Sequence, residues 1–319
     1  MAPHRIDVHH HIIPDAYLRA MDRAGLDDPI KGVAYPRWDV DTDLAVMDQY
    51  GIRVAVVSIT APGLSFASGE EASYVARATN EAMAQLCADH PERYGAFALI
   101  PLPDVDAALR EIDFALDVLG LDGVGLFTNH QGTYLGDPQF EPVLAALAER
   151  DALVHVHPAQ PAGTDQPTFG LPPSLYEFTF DTSRMVANLL YSGTLDRYPG
   201  LRMILSHAGG AVPFLAHRMT YASTINPKLK DRQPDDVLGS LRNLYYDTAM
   251  SANRPTLAAL TSFVGTDRIL FGSDYPFMPE STTAETVAGL RDFFAPETLM
   301  DVEWNNAAAL LPRFASLAV

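Results

Sequence analysis

Three consecutive histidines near the start of the chain are the first residues whose type and spacing indicate metal chemistry. His9, His10 and His11 stand in the segment IDVHHHIIP, where apolar residues continue on both sides, as in a strand that enters a core. Alternate side chains of a strand share a face, so His9 and His11 should point together and His10 the other way. Two imidazoles on one face form half of a metal site, and distant parts of the chain have to supply the rest.

Suitable polar residues lie at the ends of three further apolar runs. LVHVHP carries His155 and His157, ILSHAGG contains His207, and LFGSDYPF contains Asp274. Imidazole and carboxylate groups suit a divalent transition ion, usually zinc, with manganese or iron as alternatives. Compact zinc fingers take their ligands from nearby positions in the chain. The wide separations here favour a site collected from several strand ends.

The elements that must position these residues alternate along the chain. Amphipathic stretches at residues 70–90, 104–119, 138–149 and 180–197 predict helices. Eight strands alternating with helices predict an α/β fold, a (β/α)8 TIM barrel, whose sites lie at the C-terminal ends of the strands. No linker or internal repeat divides the chain, so residues 1–319 are predicted to form one domain. The strand-like runs are RIDVHH, IRVAVVSI, YGAFALI, GVGLF, ALVHVH, RMILSH, NLYYDT and RILFGSD.

Two long segments do not fit this alternation. Residues 22–40 and 158–180 are rich in proline and glycine, and both follow predicted strands. Loops of this length inside a compact domain are more often functional than incidental. We expect both to extend over the C-terminal face of the barrel.

Composition limits the partners and the compartment. A formal net charge of −18 argues against nucleic acid or an anionic membrane as a partner, and an anionic substrate would need a local cation. One cysteine, Cys87, excludes an internal disulfide and suits a reducing cytoplasm. The start lacks the apolar core of a signal peptide, and no membrane span is predicted.

The motifs, in their order along the chain, resemble the amidohydrolase superfamily. The resemblance is to its decarboxylase branch, often called the amidohydrolase-2 or ACMSD-like family. It rests on DVHHH, VHPAQP, SGTLDRYPGLRMILSHAGG, FGSDYPF and the C-terminal WNNAAALL, and it spans essentially the whole chain. Within this branch, TAPGLSF and the overall spacing are most similar to the 6-methylsalicylate decarboxylases as a group.

The resemblance implies one divalent metal ion per subunit and a set of residues to hold it. The family's ligands fall on His9, His11, His157 and Asp274, and its active-site histidine falls on His207. No lysine occurs near the fourth strand to bridge a second metal, so a mononuclear site is implied. Two histidines on the first strand, without a glutamate in the first position, favour Zn²⁺ over Mn²⁺.

The resemblance also implies substrate contacts and a partner. Arg218 matches a position that in some relatives reaches a neighbouring subunit's pocket and pairs with the substrate carboxylate, which implies a homodimer. Phe277 is one of several loop aromatics that could cover an aromatic ring. Where some relatives have another carboxylate-binding arginine, this chain has Asp41 and Asp43. That departure favours a smaller, aromatic acid as the substrate.

We therefore predict a carbon–carbon lyase (a carboxy-lyase) that removes CO2 from a small aromatic carboxylate of the 6-methylsalicylate or hydroxybenzoate type. Asp274 would protonate the ring carbon, and His207 would hold the carboxylate or shuttle the proton. Two alternatives stay open on the sequence. The same ligands can activate water in a hydrolase or hydratase acting on a lactone, an amide or an unsaturated dicarboxylate, or the metal can be structural in a binding protein.

Overall fold

The computed structural model describes residues 4–26, 30, 32–33, 35–161, 169–229 and 233–317. Parts of both long segments, residues 27–29, 31, 34 and 162–168, lie outside these ranges. We predicted that both segments extend over the C-terminal face of the barrel, and for these residues that remains a prediction.

Eight parallel strands of the described chain form a barrel in the order β1-β2-β3-β4-β7-β8-β9-β10. The barrel closes beside β1, where the Val8 amide donates to the Phe271 carbonyl (3.0 Å) and the His11 amide to that of Tyr275 (2.8 Å). The predicted (β/α)8 barrel is confirmed. The strands are β1 (Arg5–His11), β2 (Ile52–Ser58), β3 (Tyr94–Leu99), β4 (Gly123–Phe127), β5 (Asn129–His130), β6 (Thr133–Tyr134), β7 (Leu153–His157), β8 (Arg202–Leu205), β9 (Tyr245–Asp247) and β10 (Ile269–Leu270).

Helices follow the barrel strands and pack around them. The predicted helix at 180–197 is in fact two helices, because Gly193 adopts a φ of 78° that ends the first one. The antiparallel β5–β6 hairpin was not predicted. The helices are α1 (Asp15–Arg23), α2 (Val40–Tyr50), α3 (Gly69–Asp89), α4 (Val105–Asp113), α5 (Glu141–Glu149), α6 (Glu177–Tyr191), α7 (Thr194–Arg197), α8 (Val212–Met219), α9 (Ala222–Ile225), α10 (Pro234–Arg242), α11 (Arg254–Thr261), α12 (Glu280–Phe293), α13 (Pro296–Met300) and α14 (Asn306–Leu310).

The barrel interior is apolar at its N-terminal end. Side chains from six barrel strands, among them Phe97 and Leu153, form one buried cluster with Trp304 and Phe314 of the C-terminal segment. Arg313 donates to Asp122, just before β4, which holds that segment across the N-terminal ends of the strands. The polar side chains inside the barrel therefore lie at the C-terminal ends of the strands.

A local irregularity in β1 turns its histidines into the barrel. Ile6 and Val8 belong to the interior cluster, so strict alternation would continue that face to His10. The pairing of β1 with β2 shifts register between Asp7 and His10. Such a shift re-aims the following side chains, and His9 and His11 come to point inward.

No helix among the described residues is long and apolar enough to cross a membrane.

Candidate metal centre

Four side chains from three strand ends meet inside the barrel mouth. Ligand atoms of His9, His11, His157 and Asp274 all lie within 4.8 Å of one another, and all four residues are buried. His11 Nε2 lies 3.1 Å from both His9 Nε2 and Asp274 Oδ1. Three imidazoles and a carboxylate form a donor set that suits Zn²⁺, Mn²⁺ or a similar divalent ion.

Hydrogen bonds on the far side of each imidazole fix its tautomer. His9 Nδ1 lies 2.8 Å from Asp247 Oδ2, His11 Nδ1 lies 3.3 Å from the Ser58 carbonyl, and His157 Nδ1 lies 2.7 Å from the Pro158 carbonyl. Carboxylate and carbonyl oxygens only accept, so each Nδ1 carries the hydrogen and donates. Nε2 is then the nitrogen that each imidazole turns toward the cluster, where it would bind a metal ion once any proton on it has left.

The protonation states of the cluster also fit a cation. Burial lowers the pKa of His11 and that of His157, which keeps both imidazoles neutral. Burial also lowers the pKa of His9, but the carboxylates of Asp247 and Asp274 outweigh it and raise that pKa to about 10. Burial alone would raise the pKa of Asp274, yet His9 and His11 hold it well below its usual range. The site therefore concentrates negative charge that a proton on His9, or a metal ion, balances.

Backbone geometry at the strand ends is unusual. Asp274 has a φ of 65° and His207 a φ of 55°, values that non-glycine residues seldom adopt. Such strain is typical of functional sites. Gly272 allows the close approach of β1, because a Cβ there would lie 2.9 Å from the Cβ of His9.

Asp247, at the end of β9, is a functional residue that was not predicted from the sequence. Besides holding His9, its Oδ1 accepts from the His207 amide at 2.8 Å and from the Ala249 amide at 3.0 Å. Asp247 thus joins His9, a candidate metal ligand, to the loop that carries His207. The sequence did contain a signal for Asp247: it is an acidic residue at the end of the strand-like run NLYYDT, just as Asp274 is at the end of RILFGSD.

His207 and Phe277 lie beside the cluster, and Arg218 does not. The His207 ring centroid is 4.9 Å from that of His9, and His207 Nδ1 donates to the Ala249 carbonyl (3.2 Å), which leaves Nε2 for a substrate. The Phe277 ring stands edge-on to His11 at 5.5 Å. Arg218 is exposed on α8 and contributes to a shallow apolar surface depression. Within one chain the structure does not bring Arg218 to the cluster.

The remaining two strand histidines support the site. His155 stacks on Phe97 at 5.3 Å, and burial lowers its pKa to about 4, so it stays neutral. His10 points away from the cluster, with Nδ1 3.1 Å from Asp7 Oδ2 and Nε2 2.8 Å from Asp43 Oδ1. Both ring nitrogens face acceptors, so His10 is an imidazolium between two carboxylates.

The His10 network reaches the metal centre through Asp7. Burial lowers the pKa of His10, but Asp43 and Asp7 outweigh it and raise that pKa to about 10. Asp7 also accepts from the Ser273 hydroxyl (2.5 Å) and the Ser273 amide (3.1 Å), next to Asp274. Tyr94 donates to Asp43 at 2.6 Å. Asp43 is therefore a buried structural partner of the first strand.

Replacing Asp43 by alanine should lower the free energy of unfolding by about 3–5 kcal/mol, because it leaves the His10 imidazolium with one of its two buried counter-charges missing. Denaturant titration measures this. Asp41 is exposed in the first turn of the same helix, so D41A is the matched control and should change stability by less than about 0.5 kcal/mol. Equal losses in the two variants would contradict the role given to Asp43.

A closed parallel barrel with a buried cluster of three histidines and an aspartate at its C-terminal end places the chain among the (β/α)8-barrel proteins, whose functional sites lie at that face. The family model described as Amidohydrolase (Amidohydro_2) matches residues 6–313, and the chain belongs to that family.

Known proteins similar to this chain include aromatic-acid decarboxylases. A 6-methylsalicylic acid decarboxylase from Penicillium expansum is 37% identical over 314 residues, which cover 97% of this chain and 96% of that protein. A solved amidohydrolase II is 28% identical with a TM-score of 0.90, covering 97% of this chain and 99% of that one. A 2,6-dihydroxybenzoate decarboxylase complexed with 2,6-dihydroxybenzoate is 25% identical with a TM-score of 0.79, covering 98% and 100%.

Proposed function

We propose that this chain is a metal-dependent, non-oxidative decarboxylase of a small aromatic carboxylic acid of the 6-methylsalicylate or hydroxybenzoate type. The observation that carries the proposal is the buried cluster of His9, His11, His157 and Asp274. It lies in a chain that is 37% identical, over nearly its whole length, to a 6-methylsalicylic acid decarboxylase.

The four ligands would hold one divalent ion, and we propose Zn²⁺, with Mn²⁺ as the alternative. When bound, the ion would supply positive charge that attracts the substrate carboxylate and stabilises negative charge on the neighbouring oxygen. It would also provide local positive charge in a chain of net charge −18.

Asp274 is the group we assign to proton transfer. Its pKa lies well below the usual range, because the surrounding histidines outweigh the effect of burial. It is therefore ionised before the substrate arrives. In the proposed step it takes the proton of the substrate's hydroxyl group, whose acidity a bound cation would raise, and delivers it to the ring carbon that bears the carboxylate. The carbon–carbon bond then breaks and CO2 leaves. The electron pair of that bond restores the aromatic ring, and the negative charge remains on the phenolate oxygen.

His207 and the aromatic side chains complete the proposed pocket. His207 Nε2, opposite the nitrogen that donates to Ala249, is free to interact with the substrate carboxylate. Phe277 packs edge-on against both His11 and Tyr35, at 5.5 and 4.8 Å between ring centroids. Phe277 would therefore contact the ring of a substrate placed at the metal centre.

The test is to incubate metal-replete protein with a panel of hydroxybenzoates that includes 6-methylsalicylate, and to follow CO2 and products. Release of CO2 with the matching phenol supports the proposal. Hydrolysis of a lactone or amide, or hydration of an unsaturated dicarboxylate, with no CO2 from the panel, would assign the same cluster to water activation. A metal that is present without any turnover would instead indicate a structural site.

We also propose that residues 1–319 act as one domain in the cytoplasm. The shared barrel core supports the first point. The second is supported by Cys87, the one cysteine of the chain, which is free and half-buried, as suits a reducing compartment.

The chain is proposed to form a homodimer through α8 and α9. Phe214 and Ile225 are 85% and 77% exposed, and both lie in the same part of the surface as Arg218. Exposed aromatic and aliphatic side chains beside an arginine are typical of the centre of an interface. In a dimer Arg218 would extend toward the partner's pocket and its substrate carboxylate.

Replacing Phe214 by glutamate should weaken self-association about 30-fold or more, because it places an unpaired charge at the centre of the proposed interface. Sedimentation velocity over a range of concentrations measures this. Tyr74, 65% exposed on α3, offers the matched control Y74E, which should leave the association unchanged. A wild-type chain that stays monomeric at all concentrations would contradict the proposal.

A further inference from the structure

A cavity of about 370 Å³ opens beside the metal centre, at the C-terminal ends of β2, β3, β4 and β7. Phe127 and Phe178 form the wall that it shares with the metal centre, and each ring lies 6.1 Å from the ring of His157. Its volume is within the range of about 300–1,000 Å³ that is typical of small-molecule sites. None of the four cluster residues lines it, so it is adjacent to the metal centre and distinct from it.

The part of the cavity wall that the structure describes has no charged side chain. Among the described residues that line it there is no lysine, arginine, aspartate or glutamate. Its polar groups are amides, a serine hydroxyl and the imidazole of His130, whose pKa burial lowers to about 3, so that it carries no charge. With a chain of net charge −18 around it, such a cavity is a poor host for a carboxylate and a suitable host for an uncharged molecule.

His130 is a buried polar residue in this wall whose hydrogen bonding is incomplete. It is 8% exposed, its ring lies 6.0 Å from that of Phe127 and 5.7 Å from that of Phe140, and its Nε2 has no partner in the described structure. Buried polar groups nearly always have a partner. An imidazole left unsatisfied in an apolar wall therefore points to a ligand or a local adjustment that completes its hydrogen bonding.

The hairpin that carries His130 is firmly held. Asn129 donates to Asp181 at 2.9 Å and to the Gln160 carbonyl at 3.0 Å, and it accepts from the Gly132 amide at 3.0 Å. Tyr134 donates to the other oxygen of Asp181 at 2.6 Å. These bonds tie the loops after β4 and β7 to α6, so His130 is presented by a preorganised wall.

We infer that this cavity is a separate subsite for a neutral phenol, with His130 as the side chain that recognises the hydroxyl group. The inference rests on the proposed function, because a phenol is what decarboxylation of a hydroxybenzoate leaves. In that reaction the ring carbon takes the proton of the hydroxyl group and CO2 departs, which leaves a phenolate. A phenolic hydroxyl has a pKa of about 10, so the phenolate takes a proton from water at neutral pH and the product to be bound is an uncharged phenol. The acid is matched to the cationic metal centre, and the phenol is matched to the neutral cavity next to it.

The experiment is to measure binding of 3-methylphenol and, separately, of 3-methylbenzoate to the metal-replete full chain by isothermal titration calorimetry. H130F removes the hydrogen-bonding group at similar size. S65W adds a large side chain at an exposed position of the cavity lining and leaves His130 unchanged. His90, at the end of α3 near the other end of the barrel, provides the matched control H90F.

Each cavity variant should weaken 3-methylphenol binding by about fivefold or more and change 3-methylbenzoate binding by less than about twofold, while H90F changes neither. Unchanged phenol affinity in both cavity variants, or an equal loss for phenol and benzoate, would overturn the subsite. The outcomes are distinguishable from failure of the proposed function. If the wild-type chain releases no CO2 but both variants lose phenol binding, the subsite is supported and the decarboxylase proposal fails. If the wild-type chain releases CO2 but phenol binding is unchanged in both variants, the decarboxylase proposal is supported and the subsite fails.

Discussion

Replacing Asp274 by asparagine should reduce kcat for decarboxylation by about 10³-fold or more. Asparagine keeps the shape of the side chain but cannot take up and deliver a proton, and general acid–base groups typically contribute about 10²–10⁴-fold. It also removes a negative charge that lies 3.1 Å from His11 Nε2 and 3.3 Å from His9 Nε2, which weakens metal binding. CO2 release from 6-methylsalicylate under saturating substrate measures the effect.

Metal content distinguishes the two roles of Asp274. If D274N retains its metal and its KM while kcat falls, the loss reports proton transfer. If metal is lost as well, adding excess metal restores occupancy, and the residual defect in kcat is the contribution of the proton. Asp267, exposed just before β10, gives the control D267N, which should have wild-type activity. Undiminished turnover in D274N would refute the proton-first scheme.

The barrel could be predicted because the strands of a parallel barrel are buried on both faces. Such strands therefore appear in the sequence as short apolar runs. GVGLF was predicted with its observed bounds, and RIDVHH and IRVAVVSI within one residue at their C-terminal ends. Polar residues at the ends of such runs have few reasons to be there other than function. This is why His9, His157 and Asp274, separated by up to 265 positions in the chain, can be grouped from the sequence alone.

Features that the sequence does not predict depend on contacts between distant elements. Asp43 stands where the family resemblance places a substrate contact, yet it is buried against His10, which only the packing of α2 on the barrel decides. The shift of register in β1 lets the neighbouring residues Val8 and His9 both face the barrel interior, although strict alternation would place them on opposite faces. No local sequence pattern predicts this shift. The hairpin that carries His130 is a short turn-like stretch of sequence held by Asp181 from a separate helix.

These long-range contacts also explain how a strongly acidic chain maintains a site for an anion. Asp247, Asp7 and Asp43 each pair with a histidine of β1, so the carboxylates nearest the centre are neutralised or used as hydrogen-bond acceptors. The acidic groups orient the histidines, and a cation held by the cluster would reverse the local sign of the charge. The described lining of the adjacent cavity has no charged side chain, which would separate the environment of an acid from that of a phenol within one barrel mouth.

Removal of the metal should abolish turnover, and its rebinding should release about one proton near neutral pH. Without metal the pKa of His9 is about 10, raised by Asp247 and Asp274 against the opposing effect of burial. At pH 7 His9 therefore carries a proton that a metal ion has to displace, whereas His11 and His157, whose pKa values are lowered, are already neutral. The apparent affinity should rise with pH below the pKa of His9, by up to about tenfold per pH unit, and fall as the pH is lowered.

Dialysis against a chelator, followed by calorimetric titration with Zn²⁺ or Mn²⁺ in buffers of different ionisation enthalpy, counts the released protons and ranks the two ions. Turnover restored by one ion and not by the other identifies the working metal. H157A should lose metal under the same conditions, whereas H90A, altered far from the cluster, should keep it. Metal uptake without proton release would contradict the protonated state of His9. Full activity in the metal-free chain would contradict the metal-dependent reaction itself.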